Sequence, residues 1–158
     1  MPIYSDRSKG KLKTCDKRLQ LIFNKAIKHF DHTILFGHRD YTDQTKAFNE
    51  GKSKLSWPDS KHNKFPSLGI DAAPYPIPEK WGAISWDILT KGVKKDNIEI
   101  IKHQIKELHK FYYFAGYILG IANGLDIRLR CGADWNGDKN FNDQTFDDLC
   151  HFELIDNW

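Results

Sequence analysis

The sequence lacks several features that would place it in large classes of protein. Its three cysteines, Cys15, Cys131 and Cys150, are an odd number at irregular spacing, so neither a disulfide framework nor a paired-cysteine zinc motif is predicted. The lysines form no block of like charges, and the formal net charge is only +3. The sequence shows neither a basic stripe nor a helix with residues suited to enter a groove of DNA or RNA, so specific nucleic-acid binding is not expected.

Long apolar runs are also missing. The longest stretch without a charged residue, 111–125, is shorter than the about 20 apolar residues of a membrane span, so no membrane insertion is expected. The first nine residues contain no apolar core, which predicts that the protein is made in the cytoplasm without a signal peptide. No repeat or internal boundary interrupts the sequence, and its 158 residues fit one domain, 1–158.

Hydrophobic periodicity predicts an α+β fold in which helices pack on a small antiparallel sheet. Helices are predicted over 12–30, over 42–51 with Thr42 as the cap, and from about Asp96 to Asn123, with Asp96 and Glu99 as a capping box. The buried face of the long helix is predicted to contain Ile98, Ile101, Ile105, Leu108, Tyr112, Ala115, Leu119 and Ala122. Strands are predicted over 33–36, 68–73, 126–129 and 151–154.

Two polar clusters, 60–71 and 147–153, contain the residues with the clearest chemical meaning. They supply His62, Asp71 and His151, with a further carboxylate nearby. A catalytic zinc site needs these groups, namely three ligands and one acid that transfers protons. His62 and Asp71 would be about 30 Å apart in an extended chain. The turn predicted at Pro66 and Ser67 would bring them together.

The second cluster raises two questions that spacing alone leaves open. Asp148 precedes His151 by three residues, so a turn entering the last strand would let His151 bind a metal while Asp148 faces a bound water. Asp147 competes with Asp148 for this acid–base role. Cys150, next to a ligand, is an alternative fourth ligand that would close the site.

A separate loop, 134–143, is rich in oxygen side chains at alternate positions. Asp134, Asn136, Asp138 and Asn140 have the spacing of calcium ligands, which makes this loop a candidate Ca²⁺ site. It lacks the glycine and the glutamate that an EF-hand loop requires. The alternative is a solvated turn in which Asn and Asp bond to nearby backbone.

The clusters resemble those of zinc peptidases that include VanY-type D-alanyl-D-alanine carboxypeptidases and phage L-alanyl-D-glutamate endolysins. The resemblance runs from Gly37 to the C-terminus, about three quarters of the chain, and is carried by Gly37-His38-Arg39, Ser60-Lys61-His62-Asn63, Asp71, Ala73-Pro74-Tyr75-Pro76 and 147–154. It implies a Hedgehog/DD-peptidase-like fold and Zn²⁺ held by His62, Asp71 and His151, with Asp148 as general base. It also implies that Arg39 binds a substrate carboxylate or the oxyanion, and that Ser60 lines the cleft.

The phage branch of this family implies a peptidoglycan hydrolase that cuts the L-alanyl-D-glutamate bond, causes bacteriolysis and acts as a monomer. Such an enzyme is made in the host cytoplasm and reaches the cell wall through a holin pore. Two alternatives stay open: a D-alanyl-D-alanine carboxypeptidase, and a wall-binding module with a structural zinc closed by Cys150. Cys150 and Gly69 depart from the branch, which commonly has proline and alanine there.

Several other histidines and aromatic residues are predicted to have structural rather than catalytic roles. His29, His32, His38, His103 and His109 are predicted to be surface or core residues rather than ligands. Phe111, Tyr112, Tyr113 and Phe114 are predicted to lie in the core. The tryptophans in loop-like regions are candidates for lining a substrate groove, and these are Trp57, Trp81, Trp86 and Trp135.

Overall fold

The computed structural model describes residues 1–77, 98–144 and 146–155. In chain order the elements are α1 (Asp6–Lys13), α2 (Lys17–Ala26), β1 (His32–Phe36), α3 (Tyr41–Asn49), a 3-10 turn (Lys61–Asn63), β2 (Gly69–Pro74), α4 (Ile98–Gly124), β3 (Leu129–Gly132) and β4 (Asp148–Leu154). The strands form one sheet in the order β1-β2-β4-β3. Every neighbouring pair in it is antiparallel, which confirms the predicted α+β class.

The first helical region differs from its prediction. The sequence pattern predicts one helix over 12–30, whereas the structure has α1 and α2, separated at Cys15 and Asp16. Asp16 accepts a hydrogen bond from the backbone N–H of Arg18 at 2.9 Å and so starts a new helix. Cys15 forms an isolated parallel bridge with Ser67. The apolar periodicity continues across the break because both helices pack on the same core.

Other element boundaries also move. The predicted Thr42 cap of α3 is wrong, because Asp40 accepts from the N–H of Asp43 at 2.8 Å and caps the helix two residues earlier. The third strand begins at Leu129 rather than at 126, since Asp126 has a positive φ of 55° and continues the turn that ends α4. Asp96 and its proposed capping role lie outside the described residues.

The core lies between the sheet and helices α2 and α4. Its largest fully buried side chains include Leu19, Ile22, Phe23, Ile70, Phe114, Ile118, Phe152 and Leu154. The Phe152 ring contacts those of Phe23 and Phe114 edge-on, with centroids 5.6 and 5.8 Å away. Burying such side chains is the main favourable contribution to folding.

The predicted buried face of α4 is only partly correct. Ala115 and Ala122 are buried as expected, but Ile105 is 40% exposed. Phe111 and Phe114 are in the core, whereas Tyr113 is 70% exposed. The side chains of Ile98 and Ile101 lie outside the described residues, as does that of His103. Across the described ranges, no helix combines the length and hydropathy of a membrane-spanning segment.

His32 is a core residue, as predicted. Its Nδ1 donates to the carbonyl of Phe30 at 2.7 Å, and its Nε2 accepts from the Tyr4 hydroxyl at 2.5 Å. The rings of Phe23 and Phe114 also contact the imidazole. Burial in these surroundings lowers the pKa of His32 to about 4, so this histidine stays neutral near pH 7.

Candidate metal centre

His62 is fixed in the 3-10 turn by contacts on both sides. The Ser60 hydroxyl accepts from the backbone N–H of His62 at 3.3 Å, while the Asn63 side chain accepts from the N–H of Ser60 at 3.1 Å. Ser60 and Asn63 also form a capping box, in which the side chain of each accepts from the backbone N–H of the other. The carbonyl of Gly37 lies 2.6 Å from His62 Nδ1. Because a carbonyl only accepts, the proton is on Nδ1 and the lone pair of Nε2 points elsewhere.

The Nε2 atom of His62 faces two residues from neighbouring strands. Asp71 on β2 and His151 on β4 are direct partners in the antiparallel register. Asp71 Oδ1 lies 3.1 Å from His62 Nε2 and 2.9 Å from His151 Nδ1, and the two nitrogens are 3.2 Å apart. All three residues are buried, and their ligand atoms lie within 4.8 Å of one another. The structure thus brings together the three predicted ligands.

The hydrogen-bond partners of the two imidazoles indicate proton positions that suit a cation between them. His151 Nε2 lies 3.0 Å from Glu153 Oε2, so its proton is on the side away from the centre. His62 Nε2, His151 Nδ1 and Asp71 Oδ1 then direct three lone pairs at one point. Such an arrangement is repulsive unless a positive charge lies among them, and two imidazoles with one carboxylate suit zinc.

Without a metal, protonation supplies the missing positive charge. Burial alone would lower the pKa of His151, but hydrogen bonds to Asp71 and Glu153 outweigh it and raise this pKa to about 10. Burial would raise the pKa of Asp71, yet the charge of His62, the histidine hydrogen bonds and Arg39 hold it well below its usual range. The surroundings of these three residues therefore favour a positive charge among them.

Asp148 lines the same cavity as His62 and His151. On β3, Cys131 pairs with Phe152 and the next residue, Gly132, pairs with Asp148, so β4 carries extra residues at this point. Because of this irregularity, the side chain of Asp148 need not follow the alternation of side chains between the two faces of a regular strand. A Cβ on Gly132 would lie 2.4 Å from the backbone oxygen of Asp148, which explains the glycine there.

The environment of Asp148 favours a carboxyl group that holds a proton more tightly than usual. Burial raises the pKa of Asp148, and the negative charge of Asp71 acts in the same direction. The Cys150 thiol donates to Asp148 Oδ1 at 3.1 Å. Asp147, its competitor by sequence, has a buried Oδ1 without a hydrogen-bond partner. The cavity lining includes Asp148 among its residues, which favours Asp148 over Asp147 for acid–base work.

Cys150 lies outside the group of three ligands. It is buried beside Ala73 and Phe111 in a small second core cluster. Burial raises the pKa of its thiol well above the usual range, and the charge of Asp148 adds to this effect. The thiol donates to Asp148 and is not part of the His-Asp-His group, which argues against the closed site considered from the sequence.

Arg39 and Ser60 contact the candidate metal ligands themselves. Arg39 Nη2 forms an ion pair with Asp71 Oδ2, and the guanidinium lies over the Phe36 ring at 4.8 Å. Arg39 and Ser60 both line the cavity. Besides any contact with a substrate, Arg39 therefore orients Asp71, and Ser60 positions His62.

Sequence reasoning assigned no role to Glu153 and Arg130. Glu153 Oε2 bonds to His151, and its Oε1 accepts from Arg130 Nε and Nη2 at 2.9 and 2.6 Å. Burial would raise the pKa of Glu153, but these partners lower it to about 2. The available signal was the two-residue spacing from His151, which places both side chains on one face of a strand.

The candidate metal centre opens into a cavity of about 760 Å³. One wall comes from the segment 52–62, and the other from the loop before β4, including Trp135 and Phe146. Trp135 thus lies where a groove residue was predicted. Trp57 instead contacts Tyr41 edge-on, at a centroid distance of 6.2 Å. Trp81 and Trp86 lie outside the described residues.

The loop 134–143 uses its side-chain oxygens for its own backbone. Asp134 accepts from the N–H groups of Gly137 and Lys139 at 2.8 and 3.0 Å. Asn136, Asp138 and Asn140 each accept from the N–H two residues later. These bonds match the solvated-turn alternative. Calcium binding by this loop stays a prediction.

Comparisons with known proteins establish the fold. No family model and no curated protein sequence matches the chain. A solved structure, the L-Ala D-Glu endopeptidase ChiX of Serratia marcescens, superimposes with a TM-score of 0.62 at 18% sequence identity. The match covers 96% of this chain and 89% of that one. The chain therefore has the α+β fold of that structure, and its buried His-Asp-His group could hold a metal ion.

Proposed function

We propose that the protein is a zinc-dependent peptidoglycan hydrolase that cleaves the L-alanyl-D-glutamate bond of the stem peptide. The observation that carries this proposal is the convergence of His62, Asp71 and His151 beside a cavity that Asp148 lines. The overall fold shared with an L-Ala D-Glu endopeptidase supports the choice of substrate.

The ligand set suggests which chemistry a metal would add. Zinc bound by His62, Asp71 and His151 would lower the pKa of a coordinated water to about 7 and polarise a carbonyl group. The protein supplies the shape, the charge and the proton carrier around it. Asp71 and the two imidazoles are buried, so bulk water competes little with the ligands.

Asp148 is the proposed general base and later the general acid. Its Oδ1 accepts from the Cys150 thiol, so Oδ2 is the atom that we propose takes a proton from the attacking water. A raised pKa suits a carboxylate that must accept this proton and then give it to the leaving amine. Arg39, which lines the cavity, would stabilise negative charge on the substrate carbonyl or bind a substrate carboxylate.

Digestion of purified cell walls tests this proposal. The protein is incubated with walls and zinc, and mass spectrometry identifies the new peptide termini. We expect fragments with a new amino-terminal D-glutamate and a matching carboxy-terminal L-alanine, and no cleavage after zinc is removed by a chelator. Release of single D-alanine residues would instead identify a D-alanyl-D-alanine carboxypeptidase.

The third alternative, a wall-binding module with a structural zinc, makes a different prediction. Such a protein would bind walls and zinc but release no fragment under any condition. An inactive protein that still binds walls in a sedimentation assay would therefore contradict the enzymatic proposal. Zinc content, measured on the same preparation, distinguishes this result from simple loss of metal.

A further inference from the structure

Arg130 lies between the carboxylate that supports a metal ligand and the loop that forms a cavity wall. Its Nε and Nη2 donate to Glu153 Oε1, and its Nη1 donates to the carbonyl of Trp135 at 2.6 Å. The guanidinium also lies over the Trp135 ring at 5.6 Å. One side chain therefore holds two acceptors that belong to different elements.

Trp135 is held in turn by the rest of its loop and by the metal centre. Its indole Nε1 donates to the carbonyl of Phe146 at 2.7 Å, and its backbone N–H donates to the Gln144 side chain at 3.1 Å. Its ring lies 5.4 Å from the ring of His151. Trp135 thus contacts the same imidazole to which Glu153 is hydrogen-bonded.

We propose that Arg130 is a positioning residue that couples zinc affinity at His151 to the placement of Trp135 in the cavity wall. Arginine suits this role because its planar fork donates to both acceptors in fixed directions, which a lysine ammonium cannot reproduce. The proposal rests on the metal binding that forms part of the proposed function, and not on the peptidase reaction.

Zinc affinity, measured by competition with a chromophoric chelator, provides the test. Arg130→Ala is expected to lower the affinity about tenfold, since loss of such outer partners costs 10–100-fold, and Arg130→Lys is expected to fall between it and the wild type. Arg18→Ala is the matched control, because Arg18 pairs with Asp16 away from the cavity. Wild-type affinity in Arg130→Ala would overturn the proposal, whereas failure of the wild type to bind zinc would overturn the proposed function as well.

A double-mutant cycle separates positioning from general destabilisation. If Arg130 acts through Glu153, Arg130→Ala should have little further effect on zinc affinity in a Glu153→Gln background. Additive losses would overturn this route. Circular dichroism of the metal-free variants shows whether each is folded, and Arg130→Lys keeps the test available if Arg130→Ala is not.

Tryptophan emission tests the connection to the cavity wall. We expect zinc to change the emission of the wild type, Trp135→Phe to lose this change, and Arg130→Ala to reduce it. A zinc-dependent change that depends on Trp135 but is the same in Arg130→Ala would overturn the coupling.

Discussion

His32 and His151 are both buried, with 3% and 6% of their surfaces exposed, yet their affinities for a proton are opposite. His32 is surrounded by a phenol, a carbonyl and aromatic rings, and its pKa falls to about 4. His151 contacts two carboxylates, and its pKa rises to about 10. Burial is similar at the two positions, so the neighbouring charges decide which histidine attracts a cation.

The largest expected effect comes from removing His151, the histidine that contacts two carboxylates. We expect His151→Ala to lose stoichiometric zinc and all wall cleavage, because only two ligands would remain. His32→Leu is the matched control, since it removes an equally buried imidazole outside the centre. Zinc content by atomic spectroscopy checks both. Loss of zinc in the control alone would reverse the assignment.

Removing the acid–base group should leave zinc binding intact. Asp148→Asn keeps the size of the side chain but cannot accept the proton, so we expect kcat to fall about 10²–10⁴-fold. Zinc content should stay at the wild-type level, because Asp148 lies outside the three ligands. Asp147→Asn is the control, and we expect it to retain most activity. A fully active Asp148→Asn variant would contradict the proposed mechanism.

The pH dependence of the free energy of unfolding tests the lowered pKa of His32. The pKa of His32 is about 4 in the folded protein and 6.5 in an ordinary setting, so unfolding takes up a proton between these values. The contribution of neutral His32 to the free energy of unfolding, on the order of 3 kcal/mol, is fully present above pH 6.5. It is lost as the pH falls toward 4. Denaturant unfolding of the wild type and His32→Leu, compared at pH 7 and pH 4.5, measures the difference. Equal losses in both proteins would show that His32 titrates normally.

Glu153 is one of the two carboxylates that distinguish His151 from His32. Glu153→Gln keeps an acceptor for His151 Nε2 but removes the charge, so we expect zinc affinity to fall about 10–100-fold. Glu50→Gln serves as the control, because Glu50 pairs with Lys52 on the surface. Competition with a chelator measures both. Unchanged affinity in Glu153→Gln would mean that the negative charge of Glu153 contributes little to metal binding.

The smallest effect is expected from calcium at the loop 134–143. A calcium site there would give heat in a calorimetric titration and would raise the melting temperature, and Asp134→Asn with Asp138→Asn should remove both effects. Because the loop oxygens already accept backbone N–H groups, any stabilisation should be small. A titration without heat or thermal shift would exclude the site.

The clustering of His62, Asp71 and His151 was predictable because two of the three are histidines and all three lie at informative spacings. His62, Asp71 and His151 needed only a turn and two strands to meet, and the sequence shows these elements. Glu153 also belongs to the second polar cluster, but its hydrogen bond to His151 became evident only from the strand geometry of β4. The ion pair between Arg39 and Asp71 joins residues 32 positions apart and depends on tertiary packing.

The fold was predictable in class and less so in its boundaries. Apolar periodicity records which residues face the core, but it does not report a helix break such as the one at Asp16. There, a local hydrogen bond from Arg18 competes with continuation of the helix. The positive φ of Asp126 likewise delays β3 in a way that residue preference alone does not show.

The position of β4 in the sheet has a consequence for the synthesis of the chain. It is the last described strand in sequence, yet it lies between β2 and β3. A nascent chain that has emerged only as far as residue 147 therefore lacks both an interior strand and one proposed ligand. Contacts over 80 residues, such as that between Asp71 and His151, form late because the intervening chain must first be ordered. An unfinished chain thus cannot assemble the proposed cleavage centre.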